Sequence, residues 1–200
     1  MAEAVKIDAR TVMELRAATG AGMMDCKQAL AESGGDLEKA KDWLRKRGQK
    51  IAETKSARST NAGIIASYIH AGGQIGVLID LRCETDFVAR TEDFQQLARD
   101  LCMQIAATSP AAVEREQIDP ALLEREREIA RAQAPQDKPA QVIDKIVQGK
   151  LEAFFKERCL IDQQFVKDPK RTVRDLLTEA SAKLGENVRI ARFTRYQVGE

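Results

Sequence analysis

Three short runs near the start of the chain carry apolar residues at every third or fourth position. This spacing places the apolar side chains along one face of a helix, so it predicts three short amphipathic helices. Two glycine-containing turns separate them, Asp36 is the expected N-cap of the third helix, and Gly48 is its expected end. We therefore predict a compact three-helix module over residues 1–50 and a polar linker over 51–61. The apolar positions that support this prediction are Val12, Leu15, Met23, Cys26, Leu30, Leu37, Ala40, Trp43 and Leu44.

The pattern changes to a period of two over residues 75–83, which is typical of a half-buried strand. Residues 64–70 supply a second strand, and Gly72-Gly73 between the two is a hairpin turn signal. The register of this hairpin pairs Ile64 with Leu81 and His70 with Ile75. One face of the hairpin is therefore predicted to be almost wholly apolar.

Helical spacing returns after the hairpin. The apolar stripe from Phe94 to Ile105 predicts a core helix that ends before Ser109-Pro110. Two further helical segments are joined by a proline-containing breaker at residues 135–138. They predict an antiparallel helical hairpin over residues 120–159, whose second arm has an apolar face that must pack against something.

The last hundred residues also contain a final helix and a final strand. Asp168-Pro169 is the expected cap of the helix, Gly185 is its expected end, and residues 187–198 are strand-like. The chain is thus predicted to have an α+β fold: the helical module is followed, over residues 62–200, by an α+β core with a small antiparallel sheet and the helical hairpin.

Composition narrows the possible functions. The 200 residues are 44% hydrophobic and 32% charged, as in a folded, helix-rich protein, and the formal net charge is +1. So small a charge gives no broad positive field to hold a nucleic acid. The apolar runs are far shorter than the roughly 18 residues of a membrane span, and residues 1–10 contain no hydrophobic signal core, so we expect a cytoplasmic location and no membrane contact.

Candidate catalytic and nucleotide-binding residues are few. Gly20-Ala21-Gly22 begins like a dinucleotide fingerprint, but Asp25 stands where the third glycine would be. His70 is the single histidine, and the predicted hairpin keeps it far from Cys83, so no nucleophile and base pair is expected. The four cysteines are widely separated and are predicted to be buried free thiols. We therefore expect no enzymatic site, no metal and no cofactor.

Two other stretches allow more than one interpretation. Met23 and Met24 are adjacent, so their side chains point about 100° apart on a helix and one of them is expected to be exposed as a partner contact. Phe87 lies seven residues before Phe94, so it fits the buried stripe of the core helix. In that interpretation Asp86 is a possible cap of a first helical turn. The alternative is that this strand-to-helix connection exposes both the Asp86 carboxylate and the Phe87 ring.

The terminal arginines form a third ambiguous pattern. They interleave with aromatic residues, which suits contact with nucleic-acid phosphates and bases. The alternative is a strand with one solvated basic face, and the near-zero net charge favours that alternative. The residues concerned are Arg189, Arg192, Phe193, Arg195 and Tyr196.

Two longer motifs carry a resemblance to a known family. Thr19-Gly20-Ala21-Gly22-Met23-Met24-Asp25-Cys26-Lys27 and Cys83-Glu84-Thr85-Asp86-Phe87-Val88-Ala89-Arg90 closely resemble the two signature stretches of bacterial elongation factor Ts. Shorter stretches, including residues 164–167 and 192–196, also look like that family. Many of its members have two related core halves, whereas this chain has room for one and resembles the short form.

The resemblance implies a guanine-nucleotide exchange factor for elongation factor Tu, with a ubiquitin-associated-like (UBA-like) N-terminal module. In that family the segment matching Thr85, Asp86, Phe87 and Val88 enters the GTPase beside its Mg²⁺ and the aromatic ring acts as a wedge. Further implied contacts are Arg16, Met23, Met24 and Lys27 in the module, and His70 in the core.

The short form also implies a homodimer, which would supply the second core half and give a 2:2 complex with elongation factor Tu. Two other functions stay open from the sequence. One is an RNA-associated protein that uses the terminal arginines, and the other is a structural adaptor that uses the helical module alone.

Overall fold

The computed structural model describes residues 7–135 and 137–200. The structure contains several helices and a small antiparallel sheet, so the predicted α+β class is confirmed. Short 3₁₀ helices lie at Arg115–Gln117 and Leu160–Asp162. The other elements are α1 (Ala9–Thr19), α2 (Met23–Glu32), α3 (Leu37–Lys55), β1 (Ala62–Ile69), β2 (Ile75–Cys83), α4 (Asp86–Ala89), α5 (Glu92–Thr108), α6 (Pro120–Ala132), α7 (Ala140–Arg158), β3 (Gln164–Phe165), β4 (Asp168–Thr172), α8 (Val173–Leu184) and β5 (Arg189–Gln197).

The first three helices share one apolar core. Asp36 caps α3 as predicted, because its carboxylate accepts hydrogen bonds from the backbone N–H groups of Glu38 and Lys39 at 3.0 and 3.1 Å. Trp43 and Leu44 are partly buried against the core. The fully buried positions are Val12, Leu15, Cys26, Ala29, Leu30 and Ala40, which lie on the predicted apolar stripes apart from Ala29.

The end of α3 differs from the prediction. Gly48 does not stop the helix but lies buried inside it, and α3 continues to Lys55. The residues after Gly48 include lysine, alanine and glutamate, which are strong helix formers, and they outweigh the cost of one interior glycine. Residues 51–55, which we predicted to belong to the linker, are therefore helical.

The main sheet has the strand order β1-β2-β5. The N–H of His70 donates to the carbonyl of Ile75 at 2.9 Å, which confirms the predicted pairing at the turn end of the hairpin. Val77, Ile79 and Leu81 of β2 are buried, as the period of two predicted. Because β5 pairs with β2, strands β1 and β5 form the two edges of the sheet.

The start of the last helix also differs from the prediction. Asp168 and Pro169 do not cap it, because they begin strand β4, which pairs with β3 in a separate two-stranded sheet. Instead Thr172 and Asp175 exchange hydrogen bonds: the Thr172 N–H donates to the Asp175 carboxylate at 2.9 Å, and the Asp175 N–H donates to the Thr172 hydroxyl at 3.1 Å. Gly185 ends the helix as predicted, with a left-handed φ of 74°.

Contacts within the structure divide the chain into two compact units, each built from separated segments. The first unit contains the described residues up to Gly63 together with Arg82–Phe94 and Leu177–Arg189. The second unit contains Ile64–Leu81, Gln95–Leu176 and Ile190–Glu200. Within the described ranges, no helix is both long enough and apolar enough to cross a membrane.

In the second unit, α6 and α7 pack against each other as the predicted helical hairpin. Part of the apolar face of α7 has a partner at the base of the hairpin. There Phe154 and Phe155 pack with Leu122 and Leu123 against a small cluster. That cluster consists of Ala112, Ile118 and Cys159.

An ion-pair network closes the base of the same hairpin. The Asp162 carboxylate accepts hydrogen bonds from Arg115 at 2.5 Å and from Arg174 at 2.9 Å. Arg115 also donates to Glu152 at 2.9 Å, and its guanidinium lies 4.8 Å from the ring centroid of Phe155. Partial burial raises the pKa of Asp162, but the hydrogen bonds from the two arginines lower it by more, so this pKa lies below the ordinary 3.8.

We expect Asp162→Asn to lower the free energy of unfolding by about 2 kcal/mol at pH 7, because two charge-assisted hydrogen bonds are weakened. A carboxyl group whose pKa is lowered by folding stabilises the protein fully above its unfolded pKa, and this stabilisation is lost as the pH falls through the folded value. The difference between the two proteins should therefore shrink below pH 3.8. Urea unfolding of both proteins at pH 7 and at pH 3 measures it, and an equal difference at both pH values would contradict this account.

Candidate functional site

The first candidate segment is the turn between β2 and α5. Thr85 is the N-cap of the single-turn helix α4, because its hydroxyl oxygen accepts a hydrogen bond from the Val88 N–H at 3.5 Å. The interpretation of Asp86 as the cap is therefore wrong. Asp86 is the first helical residue, and its carboxylate accepts a hydrogen bond from Arg90 at 2.7 Å.

Phe87 is exposed. Its side chain is 78% accessible, whereas Phe94 is fully buried. The stripe that would have joined the two rings is broken, since α4 ends at Ala89 and α5 begins at Glu92. Of the two interpretations of Phe87, the exposed ring in a connection is correct. An exposed ring of this size is a feature of protein–protein contacts.

The residues around Phe87 fix its helix to the first unit. The Cys83 thiol donates to the Thr85 carbonyl at 3.1 Å, and the Thr91 hydroxyl donates to the Val88 carbonyl at 2.8 Å. Ala89, the last residue of α4, is buried. Asp86 and Phe87 therefore project from a turn whose backbone is held on both sides.

The cysteines are buried and free, as the sequence predicted. Burial raises the pKa of the Cys83, Cys102 and Cys159 thiols to about 11 and also raises the pKa of Cys26. The thiol beside the candidate segment is thus protonated at neutral pH and serves as a hydrogen-bond donor rather than a nucleophile. Among the residues described, no group of three or more His, Cys, Asp or Glu side chains could hold a metal ion.

Glu186 is a contact of this segment that the sequence analysis missed. One of its carboxylate oxygens accepts hydrogen bonds from the N–H groups of Glu84 and Thr85, each at 3.0 Å. The other oxygen accepts from the Thr85 hydroxyl at 2.6 Å. No spacing pattern could have indicated this contact, because about 100 residues separate the partners.

The second candidate set lies on the helical module. Met24 is 74% exposed and Met23 is 41% exposed, so both methionines, and not one of them, reach the surface. Met23 therefore does not belong to the buried stripe of α2 on which we placed it. Arg16 and Lys27 are exposed as well. The sequence analysis missed Met13, an exposed apolar residue of α1, although its position directly after the buried Val12 was a usable signal.

The structure places eight of the nine candidate residues in one compact unit. Those eight are Arg16, Met23, Met24, Lys27, Thr85, Asp86, Phe87 and Val88, all in the first unit. His70 belongs to the second unit. It lies exposed at the end of the hairpin, where its Nδ1 is 3.0 Å from the Tyr68 hydroxyl.

Comparisons with known proteins point to one family. The family model described as Elongation factor TS matches residues 9–200. Elongation factor Ts of Caldanaerobacter subterraneus subsp. tengcongensis is 54% identical over 195 residues, which cover 97% of this chain and 98% of that protein. The protein of the same name from Nitratidesulfovibrio vulgaris is 55% identical over 194 residues, or 96% and 97% of the two chains. A third, from Thermodesulfovibrio yellowstonii, is 54% identical over 194 residues, or 97% of each chain.

Proposed function

This chain belongs to the elongation factor Ts family, and on that premise we propose that it is a guanine-nucleotide exchange factor for elongation factor Tu. It binds the GDP-bound GTPase in the cytoplasm during translation elongation, displaces Mg²⁺ and promotes release of GDP so that GTP can bind. The chain itself supplies binding contacts and no bond chemistry. The observation that best supports this proposal is the exposed ring of Phe87 on a capped, backbone-anchored turn.

The proposed mechanism rests on the two groups that hold GDP in a GTPase, the Mg²⁺ ion and the phosphate-binding loop. Phe87 enters beside the Mg²⁺ site as a wedge, with Thr85, Asp86 and Val88 forming the rest of the contact. Displacing the metal and shifting the loop weakens both supports of the nucleotide. Because coupling is reciprocal, GDP and this protein must weaken each other's binding.

A second proposed contact comes from the helical module. Met23 and Met24 supply adaptable apolar surface next to Gly22, and Arg16 and Lys27 supply positive charge around it. This contact holds the GTPase whether or not nucleotide is bound. The exposure of both methionines supports this assignment, and His70 is a further proposed contact from the core.

Release of fluorescent GDP from the cognate elongation factor Tu, chased with excess unlabelled GDP, tests the proposal. The chain should accelerate release strongly at substoichiometric concentration, as a recycling exchange factor must. Binding without any acceleration would favour the structural adaptor, and absence of both would overturn the proposal. A salt-sensitive shift of RNA would favour the RNA-associated alternative.

The terminal arginines give that alternative little support. Arg189 donates to the Thr60 hydroxyl at 2.6 Å, and Arg192 lies 3.4 Å from the Asp80 carboxylate. Arg195 pairs with the carboxylate of Glu200 at 3.2 Å. Each guanidinium thus has an oxygen of the chain itself as a partner. This is typical of a solvated basic strand face that binds no nucleic acid.

We also propose that the chain forms a homodimer through the outer face of its main sheet, which yields a 2:2 complex. Ile65, Ile69 and Leu78 are 63%, 66% and 48% exposed on β1 and β2. A Cβ at Gly76 would lie 3.2 Å from Ile69, so Gly76 and Ile69 lie against each other on this face. A second copy offers the same exposed apolar residues, so the two faces can cover each other.

We expect Leu78→Ser to weaken self-association about thirtyfold, because each of the two copies in the dimer loses ~1 kcal/mol of apolar burial. Sedimentation equilibrium of the free chain over a range of concentrations measures the effect. Val142→Ser, which changes a comparably exposed apolar residue of α7, is the matched control. Equal dissociation constants for the two variants would show that the dimer uses another surface.

A further inference from the structure

Two short segments of the first unit bind each other's backbone in both directions. The Glu186 carboxylate accepts hydrogen bonds from the Glu84 and Thr85 N–H groups and from the Thr85 hydroxyl. In return, the Glu84 carboxylate accepts from the Asn187 N–H at 2.7 Å. We call this arrangement, made by Glu84, Thr85, Glu186 and Asn187, the carboxylate clasp.

The carboxylate clasp is anchored to the end of α3. The buried Asn187 side-chain amide donates to the carbonyls of Ser56 and Arg58 at 3.1 and 2.9 Å. Arg58 lies 3.5 Å from the Glu84 carboxylate, and the Lys55 ammonium donates to the Gly185 carbonyl. The clasp therefore connects the α3 end, the loop after α8 and the candidate segment within one unit.

Glu186 controls the cap of α4 through a single hydrogen atom. The Thr85 hydroxyl has one hydrogen and donates it to Glu186. A lone pair of the same hydroxyl oxygen then faces the Val88 N–H and accepts its hydrogen bond. The same carboxylate fixes the Thr85 backbone through its N–H group. Charge-assisted bonds of this kind are about twice as strong as neutral ones. They therefore add to the Cys83 thiol bond in holding Thr85 in place.

The orientation of α4 determines where Phe87 points. The ring is largely exposed, so few contacts of its own can hold it in place. A helix of one turn is also too short to be stable by itself. The direction of the ring is therefore set by the backbone of α4, which is held by its cap and by the clasp together with the Cys83 and Thr91 hydrogen bonds.

We propose that Glu186 is a positioning residue for nucleotide exchange: through the carboxylate clasp it holds α4 in the orientation that presents Asp86 and Phe87 to the GTPase. This inference rests on the proposed function, since exchange is its readout. Glu186 does not need to touch the GTPase for this role. Its effect on exchange passes through Thr85.

The test compares three substitutions in the full chain, Glu186→Ala, Glu186→Asp and Glu186→Gln, by release of fluorescent GDP from elongation factor Tu. We expect the alanine and aspartate variants to lower the maximal release rate about tenfold, because small misplacements of a reacting contact are costly. The exchange-factor concentration for half-maximal rate should change little. Glu186→Gln should have an intermediate rate, since its amide oxygen can still accept both N–H bonds but its amide nitrogen cannot accept the Thr85 hydroxyl hydrogen.

A second readout does not depend on exchange. Backbone hydrogen exchange of Glu84 and Thr85 should be slow in the wild type and in Glu186→Gln, and fast in the alanine and aspartate variants. Glu128→Ala, at an exposed glutamate of α6, removes the same charge elsewhere and should change neither readout. The aspartate variant keeps the negative charge, but its side chain is one methylene shorter. It therefore separates the effect of side-chain length from the effect of charge.

The outcomes distinguish this inference from the proposed function. If the wild type accelerates GDP release and Glu186→Ala accelerates it equally, Glu186 has no positioning role and only this inference is overturned. Full activity of Glu186→Asp beside an inactive Glu186→Ala would also overturn it, because charge and not reach would then matter. If the wild type leaves GDP release unchanged, the proposed nucleotide-exchange function is overturned. The role of Glu186 in that function is then overturned as well, even if backbone hydrogen exchange shows that the clasp forms.

Discussion

Replacing Phe87 by alanine is expected to slow accelerated GDP release about thirtyfold, which corresponds to the ~2 kcal/mol of a central interface contact. The ring is 78% exposed in the free chain, so its removal takes away almost no internal packing. The thermal unfolding midpoint should therefore stay within about a degree of the wild type, since the effect on folding free energy is close to zero.

The same substitution should weaken binding to nucleotide-free elongation factor Tu much less than it slows exchange. A wedge acts in the state from which the nucleotide leaves, whereas the module contacts act in every complex. Fluorescent GDP release and equilibrium titration measure the two quantities side by side. Val142→Ala, which truncates an exposed apolar residue of α7, is the control and should change neither. Equal losses of binding and exchange in Phe87→Ala would contradict the wedge.

Gln104→Met is expected to lower the free energy of unfolding by about 3 kcal/mol, because it removes three hydrogen bonds made by one fully buried side chain. Gln104 is fully buried in α5. Its amide nitrogen donates to the Gln163 side-chain oxygen at 3.0 Å and to the Gln164 carbonyl at 3.1 Å. Its amide oxygen accepts from the Val166 N–H at 2.8 Å.

Methionine has nearly the same shape as glutamine, so the substitution tests the hydrogen bonds rather than the volume. Urea unfolding at neutral pH measures the loss, and Gln148→Met on an exposed position of α7 is the matched control. A loss below about 1 kcal/mol would show that the three groups find other partners. The same side chain also links α5 to the segment 164–166, since it binds the Gln164 carbonyl and the Val166 N–H.

Elements with a strong local signal were predictable from the sequence. The apolar stripe of α5 places Phe94, Leu101 and Ile105 on one face, and all three are fully buried. Asp36 has the right side chain at the right distance from α3 to cap it, so neighbours in sequence were sufficient. The two signature motifs identified the family, because long runs of matching residues are specific to a family even when no structure is known.

Local signals failed where a competing interaction came from elsewhere in the chain. Gly48 was expected to end α3, but the good helix formers beyond it carried the helix to Lys55. Asp168 was expected to cap α8, but pairing with β3 drew residues 168–172 into a strand, and Thr172 and Asp175 took over the cap. Met23 fitted the stripe of α2 by spacing and is nevertheless partly exposed.

By itself, the sequence determined the α+β class, the helical periodicities, the burial of the cysteines and the family, because each depends on residue type and short-range spacing. Only the tertiary structure decided that Phe87 is exposed while Phe94, seven residues on, is buried. The same holds for the Glu186 carboxylate, which reaches the Thr85 backbone from about 100 residues away. The physical reason is that accessibility and long-range hydrogen bonding depend on which distant segments pack together. Periodicity along the sequence is a local property and does not show which segments those are.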